Sequence, residues 1–252
     1  LNAEAARYTM LLVLGGDLKL QNTEKVNSVE LFRNLITEKT ASPTVFSDLS
    51  DVHIIYFGDS VFGNYHDFTS IPGVISALTG ARSDNRGIGG SSATQLNSDD
   101  NSFPSVVQRF LAEENSTSVD AQKLCFVINY GLNDYFSGYS TEDYRKGLED
   151  GVRALQAAYP EAKILIVSSN FISSFHNGTE KKNPQREVLS DFVAAAEESA
   201  ADLQVDFLNV NNSLQWDASN VNNYMADAVH PNEQGRFLFG AAVIRALEEI
   251  LL

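Results

Sequence analysis

The amino-acid sequence predicts an α/β fold with a central parallel sheet of about five strands and helices on both faces. The runs at residues 53–57, 124–130 and 163–168 are apolar almost throughout rather than alternating, which is typical of strands buried on both faces. Segments with apolar residues at helical spacing separate these runs. Because parallel strands need long crossover connections, this alternation of strands and helices predicts a sheet covered on both sides.

Two further strands are predicted, a weak one near residues 81–88 and a final one at 205–210. The predicted helices span residues 71–78, 103–112, 141–159, 183–203 and 233–251. Pro72 and Gly80 are typical of the start and the end of the first of these helices. Pro184 fits the first turn of the long fourth helix, which we therefore expect to begin at residue 183.

The domain formed by these elements spans residues 51–252, and residues 1–50 form an N-terminal extension outside the pattern. Residues 8–20 are consistent either with a hairpin around a glycine turn or with a helix that ends at Gly15. An amphipathic helix is predicted further along the extension from the apolar residues Val26, Val29, Phe32, Leu35 and Ile36. Nothing in the extension indicates chemistry.

Charge and hydropathy exclude several classes of partner. The 252 residues carry a formal net charge of −15, which repels phosphate backbones and anionic bilayers, so nucleic-acid binding is not expected. The apolar run at residues 8–14 is too short to span a bilayer, and no stable membrane insertion is expected. The chain begins at Leu1 rather than at methionine, which favours a secreted or extracytoplasmic protein that has lost a leader. The oligomeric state is not indicated.

Cofactor and metal signatures are missing from the sequence. Cys125 is the single cysteine, which excludes an intrachain disulfide and any multi-cysteine metal site, and its apolar neighbours predict a small buried hydrophobe. No P-loop or His-Glu-x-x-His motif occurs, and the glycines at 87–90 lack the dinucleotide spacing. We therefore expect neither a metal nor a cofactor.

Polar clusters follow three of the predicted strands at the point where each strand ends. They are Ser60, the run Gly89-Gly90-Ser91, and the pair Asn133-Asp134. The carboxyl ends of parallel strands share one edge of a sheet, where open α/β folds bind ligands. A fourth cluster, Asp227 with His230, precedes the last helix and can reach the same edge. We therefore expect all four clusters to converge.

Ser60, His230 and Asp227 have the residue types of a nucleophile, a base and an orienting acid. A serine hydroxyl attacks an ester only with a base in hydrogen-bond reach, and histidine is the usual base. His230 has a carboxylate three residues before it, and Pro231 biases it toward extended backbone. Two plainer interpretations stand beside this one: Gly58-Asp59-Ser60 as a turn, and the Asp227 cluster as a helix start.

A nucleophilic serine also needs hydrogen-bond donors for the oxyanion that forms on attack. Backbone N–H groups of a glycine turn and a side-chain amide supply such donors. Gly90 and Asn133 fit these two needs.

Four blocks of this sequence together resemble the SGNH (GDSL-like) hydrolases. The blocks are Gly58-Asp59-Ser60, Gly90 within residues 85–90, Gly131-Leu132-Asn133-Asp134, and Asp227-Ala228-Val229-His230-Pro231. The resemblance implies a flavodoxin-like three-layer α/β/α sandwich and serine esterase chemistry. It implies Ser60 as nucleophile, His230 as base and Asp227 as its orienting acid. It also implies an oxyanion hole made of the backbone N–H groups of Ser60 and Gly90 and the Asn133 side chain.

The sequence departs from the family pattern at two places. Val61 follows the serine where the name-giving motif has leucine, and Gly89 and Gly90 are adjacent, so that either glycine could donate to the oxyanion; we expect Gly90. The serine context is not the Gly-x-Ser-x-Gly elbow of the α/β-hydrolase fold.

The sequence indicates a class of substrate rather than a single compound. No long apolar lid is evident, which favours esters of short acyl groups, such as O-acetyl groups on carbohydrates. The alternatives are a lipase, lysophospholipase or thioesterase of the same family, or a non-catalytic carbohydrate-binding member.

Overall fold

The protein is described here by a computed structural model that covers residues 46–65, 69–97, 100–114, 123–172, 181–217 and 219–252. Five strands form one sheet: His53–Gly58 (β1), Arg82–Asn85 (β2), Leu124–Asn129 (β3), Lys163–Val167 (β4) and Asp206–Leu208 (β5). The strand order is β2-β1-β3-β4-β5 and every pairing is parallel. This order is the flavodoxin-like one, and the predicted sheet is confirmed.

Helices cover the sheet on both faces. They are Ser60–Gly63 (α1), Ile71–Thr79 (α2), Phe103–Glu114 (α3), Leu132–Ser137 (α4), Thr141–Ala158 (α5), Leu189–Leu203 (α6), Val210–Leu214 (α7) and Glu233–Leu251 (α8), with a 3₁₀ turn at Val221–Asn223. Helix α5 packs between α3 and α6, and α8 packs against α2 and α7. The result is a three-layer α/β/α sandwich.

Strand β1 is the centre of the core, and its consecutive residues point to opposite faces. Phe57 contacts the rings of Phe103 and Phe110, at centroid distances of 5.6 and 5.5 Å, on the α3 side. Tyr56 instead lies edge-on to Phe62 of α1 at 5.8 Å. Burial on both faces explains why β1 reads as a continuous apolar run.

The edge strands differ from the central ones in sequence because they are less buried. Strand β2 consists of Arg82, Ser83, Asp84 and Asn85, and all four side chains are exposed or half-buried. The weak strand predicted near residues 81–88 is therefore real but short. The last strand covers residues 206–208 rather than the predicted 205–210.

The fourth predicted helix begins six residues later than expected, at Leu189 rather than at residue 183. The Asn183 side-chain oxygen accepts hydrogen bonds from the amides of Gln185 and Glu187, at 2.9 and 3.0 Å. Arg186 adopts a left-handed φ of 67°. This side-chain capture of backbone amides competes with helix formation, so Pro184 lies in a turn before α6 and not in its first turn.

Phe46 and Leu49 lie in the segment that we predicted to be an N-terminal extension, but both side chains are buried in the hydrophobic core of the domain. The predictions for residues 8–36 lie outside the described residues. Among the helices that the structure describes, none combines the length and the apolar character needed to cross a bilayer.

Candidate active site

The three polar clusters predicted at strand ends and the fourth cluster before the last helix meet at the carboxyl edge of the sheet. Ser60 lies two residues after the end of β1, and a Cβ atom placed on Gly89 would lie 3.9 Å from the Ser60 Cβ. The Asn133 amide donates a hydrogen bond to the Ser91 carbonyl at 2.8 Å, which joins the loops after β3 and β2. The ring of His230, 170 residues further along the chain, lies 2.8 Å from the Ser60 hydroxyl.

Ser60 is the first residue of α1, a single helical turn that the sequence did not predict. Asp59 caps this turn, because its Oδ1 accepts a hydrogen bond from the Val61 amide at 2.9 Å. The backbone N–H of the first residue of a helix has no partner within the helix. In α1 that residue is Ser60, so this N–H and the hydroxyl belong to the same residue. Ser60 itself is half-buried, so the hydroxyl is held in place and reachable.

His230 lies between Ser60 and Asp227. Its Nε2 is 2.8 Å from the Ser60 Oγ, and its Nδ1 is 2.7 Å from the Asp227 Oδ2. The other carboxylate oxygen, Oδ1, accepts hydrogen bonds from the backbone amides of Val229 and His230, at 2.8 and 2.7 Å. The carboxylate is thus oriented by the backbone and orients the ring.

The ionised form of Asp227 is favoured by these contacts. Partial burial works against ionisation, but the hydrogen bonds from His230 and Val229 outweigh it and lower the pKa of the Asp227 carboxyl. A carboxylate in this position holds the Nδ1–H tautomer, in which Nε2 is free to accept the proton of the serine hydroxyl. The arrangement can therefore remove a proton from Ser60.

The loop that carries Asp227 and His230 is anchored by backbone contacts and by a small apolar cluster. The Ala226 amide donates to the His230 carbonyl at 2.8 Å, and Met225 forms an antiparallel bridge with Pro231. Beneath the loop, the stacked rings of Trp216 and Tyr224 lie 5.4 Å apart. These contacts hold the backbone on both sides of the segment from Asp227 to His230.

Gly90 and Asn133 are the two residues predicted to donate to the oxyanion, and they lie in segments that contact each other through Ser91. Gly90 is in a turn that the Ser91 amide closes on the Ile88 carbonyl at 3.2 Å, and its φ of 78° is one that glycine adopts without strain. One N–H of the Asn133 amide is used by Ser91, and an amide nitrogen has a second. Donation to the oxyanion by Gly90 and Asn133 stays a prediction.

Two buried carboxyls at the site, Asp59 and Asp134, belong to blocks that the sequence identified, but the sequence analysis gave neither of them a role. Asp134 accepts hydrogen bonds from the Ala93 amide, the Thr94 amide and the Thr94 hydroxyl, at 3.0, 2.8 and 2.7 Å. Burial raises its pKa, and these hydrogen bonds oppose the increase. Asp134 thus ties the loop after Gly90 to α4, which carries Asn133.

Asp59 is buried more unfavourably than Asp134. It is 1% exposed, and its Oδ2 has no hydrogen-bond partner among the residues that the structure describes. Burial raises the pKa of the Asp59 carboxyl to about 7, the Val61 hydrogen bond opposes this, and the nearby Asp134 charge adds to it. Asp59, which the sequence pattern alone would place in a turn, is therefore a buried carboxyl whose pKa is strongly raised.

Polar residues after β4 also contact the site, although the sequence-based argument did not use them. Asn170 donates a hydrogen bond to the Val229 carbonyl, next to His230, at 3.4 Å. Ser168, Ser169 and Asn170 directly follow a buried strand, which is the signal that marked the other three clusters. The same rule applied to β4 finds Asn170.

The described residues contain no group of three or more side chains of the kinds that bind metals. Cys125 is buried in β3, and burial raises the pKa of its thiol to about 12, so this thiol is not poised to act as a nucleophile.

Comparison with known proteins agrees with the fold and identifies the family. A protein of Lactobacillus plantarum is 21% identical, covers 83% of this chain and 100% of its own, and has a TM-score of 0.62. A lipolytic protein of the G-D-S-L family from Veillonella parvula is 20% identical. The match covers 77% of this chain and 97% of that protein, with a TM-score of 0.58. The lipase/acylhydrolase from Enterococcus faecalis is 18% identical, and the match covers 79% of this chain and 97% of that protein, with a TM-score of 0.56. No curated protein matches the chain.

The family model of the GDSL-like lipases and acylhydrolases matches residues 56–236, which is more than two thirds of the 252 residues and includes all four blocks of the resemblance. The chain therefore belongs to the GDSL-like lipase/acylhydrolase family.

Proposed function

We propose that the protein is a serine esterase that hydrolyses short acyl esters through an acyl-enzyme intermediate, with O-acetyl groups on carbohydrates as the leading substrate class. The observation that carries this proposal is the position of His230, whose two ring nitrogens lie 2.8 Å from the Ser60 Oγ and 2.7 Å from the Asp227 Oδ2. We assign the activity to residues 51–252.

Acylation begins when Ser60 attacks the ester carbonyl. His230 takes the hydroxyl proton as the bond from Oγ to the carbonyl carbon forms, and Asp227 stabilises the imidazolium. The amides of Ser60 and Gly90 and the Asn133 side chain stabilise the oxyanion. The intermediate then collapses: the bond to the alcohol oxygen breaks, and His230 gives the proton to the leaving alcohol.

Deacylation repeats these steps with water as the nucleophile. His230 removes a proton from water as the water oxygen attacks the acyl carbon, and the same donors stabilise the second oxyanion. The bond to Oγ breaks, the acid leaves, and Ser60 recovers its proton from His230. The reaction consumes one ester and one water and needs no cofactor.

The decisive test is serine labelling combined with turnover of a p-nitrophenyl ester. A fluorophosphonate should label Ser60, and Ser60→Ala should lose both labelling and turnover while its unfolding curve stays unchanged. Ser50→Ala is the matched control, because Ser50 is exposed and precedes β1 at the opposite edge of the sheet. Labelling at another serine, or substantial turnover by Ser60→Ala, would refute the assignment.

A second candidate, hydrolysis of longer-chain esters as by a lipase or lysophospholipase, is favoured by one exposed aromatic residue. Phe136 is 50% exposed and lies three residues after Asn133 on α4, so the two side chains share a helix face. An exposed ring within one turn of an oxyanion donor is a contact for an apolar acyl group.

An acyl chain-length series from C2 to C12, run beside acetylated polysaccharides, separates the candidates. The highest kcat/KM at C2–C4 and release of acetate from a polysaccharide support the first. A preference for C8 or longer supports the second, and glycan binding without turnover of any ester would indicate a non-catalytic carbohydrate-binding protein. A thioester series with the same acyl groups tests the thioesterase alternative.

A further inference from the structure

Arg236, in the first turn of α8, is a buried cation that pairs with no acidic side chain among the described residues. It is 6% exposed, and within the described part of the chain no carboxylate forms an ion pair with it. Burial of an unpaired charge is costly unless hydrogen bonds replace the lost water. The hydrogen bonds of the Arg236 guanidinium therefore indicate its role.

The guanidinium joins two segments that are distant in sequence. Nη1 donates to the Pro231 carbonyl at 3.0 Å, and Nε donates to the Thr69 carbonyl at 2.7 Å. Nη2 lies 3.4 Å from the Thr69 hydroxyl. The planar group also lies over the ring of Tyr65, 3.9 Å from its centroid, an arrangement that stabilises a desolvated cation.

The two ends of this bridge belong to the two halves of the site. Pro231 directly follows His230, whose own carbonyl is already held by the Ala226 amide. Tyr65 and Thr69 lie in the connection between α1, which begins with Ser60, and α2. Arg236 therefore ties the backbone next to His230 to the segment that follows α1, the helical turn that begins with Ser60.

We infer that Arg236 is a positioning residue that holds His230 opposite Ser60, by joining the Pro231 carbonyl to Thr69 and Tyr65. The inference rests on the proposed esterase function. An arginine suits this role because its rigid fork donates to several acceptors at once, whereas lysine is a point charge on a flexible chain. A misplacement of about 1 Å in a reacting group can cost about 100-fold in rate.

The test compares Arg236→Ala with Arg245→Ala, an exposed arginine further along the same helix. We expect Arg236→Ala to lower kcat about 10- to 100-fold, with KM changed less than twofold, and Arg245→Ala to match the wild type. Methylguanidine added to Arg236→Ala should restore activity severalfold and leave the wild type unaffected. A wild-type kcat in Arg236→Ala, or no rescue of the folded variant, would overturn the inference.

A conservative variant keeps the test decisive if Arg236→Ala does not fold. Arg236→Lys retains the charge but cannot donate to both carbonyls with one planar group, so it should fold and still lose kcat at unchanged KM. Full wild-type kcat in Arg236→Lys would count against a positioning role.

A proton NMR measurement separates failure of this inference from failure of the proposed function. The low-field Nδ1–H signal of His230, identified by its loss in His230→Gln, reports the contact with Asp227 without any turnover. The signal should persist in Arg245→Ala and vanish or shift in Arg236→Ala. If the wild type lacks esterase activity but the signal depends on Arg236, the function is wrong and the positioning role stands. An identical signal in Arg236→Ala rejects the positioning role whether or not the protein is an esterase.

Discussion

The side-chain amide of Asn133 donates a hydrogen bond to the backbone carbonyl of Ser91 at 2.8 Å. This contact joins the loop after β3 to the loop after β2, which are separated by β1 in the sheet. The hydrogen bond to Ser91 also fixes the orientation of the planar Asn133 amide. Because the two N–H groups of an amide lie in one plane, the direction of the second N–H is then fixed as well. Oxyanion donors that are oriented in advance stabilise the transition state without reorganisation.

Asn133→Ala is therefore expected to lower kcat about 100- to 1,000-fold, the usual loss for one oxyanion donor, while KM for a short p-nitrophenyl ester changes little. Steady-state kinetics with the two parameters separated provide the measurement. Asn97→Ala, in the loop further along from Gly90, is a control outside the proposed oxyanion site. A loss confined to KM would show that Asn133 binds the substrate without acting on the oxyanion.

Gly90 and its neighbour Gly89 can be distinguished by alanine substitution. At Gly90 the Cβ would meet no described residue within 4 Å, but φ is 78°, so Gly90→Ala should cost about 1–2 kcal/mol of stability through the backbone alone. At Gly89 the Cβ would lie 3.1 Å from the Asn64 Oδ1, which is tight, and 3.9 Å from the Ser60 Cβ, which is an ordinary contact. Gly89→Ala should therefore act by crowding Asn64, whose backbone amide donates a hydrogen bond to the Ser60 carbonyl.

If Gly90 donates to the oxyanion, Gly90→Ala lowers kcat because the turn shifts, and the loss is similar for small and large acyl groups. Crowding in Gly89→Ala instead penalises large acyl groups most. Chain-length profiles of both variants, with urea unfolding as the stability measurement, test this. Equal kcat for Gly90→Ala and the wild type would assign the donor elsewhere.

Asp59 makes stability depend on pH in a predictable direction. Burial raises the pKa of its carboxyl from 3.8 to about 7 in the folded protein, so the folded state binds this proton more tightly than the unfolded state. The resulting stability is complete below about pH 4 and is lost as the pH rises through about 7. Asp59→Asn cannot ionise and should lose this dependence, while its side-chain oxygen can still cap α1.

Urea unfolding at pH 5 and pH 8.5 measures the effect. Relative to the wild type, Asp59→Asn should retain roughly 2–4 kcal/mol more of its pH 5 stability at pH 8.5, at about 1.4 kcal/mol per pKa unit. Asp206→Asn, an exposed residue on β5, should follow the wild type. Parallel wild-type and Asp59→Asn curves would mean that Asp59 stays ionised when folded.

Phe136 should influence acyl preference. Phe136→Ser removes an exposed ring from α4 and is expected to lower kcat/KM for C8 relative to C2 esters by about 10-fold, the effect of removing one apolar contact worth 1–2 kcal/mol. Leu96→Ser is the matched control, since Leu96 is also a large exposed hydrophobic residue, at 68%. An unchanged C8/C2 ratio in Phe136→Ser would remove the observation that favours longer acyl chains.

The order of strands and helices was predictable because burial leaves its pattern directly in the sequence. Central strands such as β3, with all six residues buried, must be apolar on both faces. The start of α6 was not predictable in the same way. Asn183 captures the amides of Gln185 and Glu187, and whether a side chain outcompetes the helix depends on local geometry that residue types do not specify.

The clusters that meet at the site were also predictable, since the carboxyl ends of parallel strands share one edge of the sheet. Ser60, Asp227 and His230 could be named from residue types and positions alone. The single turn of α1 was missed, because four residues are too few to show helical periodicity.

The sequence by itself determined which segments become buried strands, which helices cover them, and which polar residues arrive at the shared edge, because these depend on local pattern and chain order. Only the tertiary structure decided that Asp59 and Arg236 are buried ionisable groups. One Asp59 oxygen has no partner in the described part of the chain, and Arg236 bridges Pro231 and Thr69. The physical reason is that desolvation of a charge depends on everything packed around it, and those neighbours come from segments far apart in the chain.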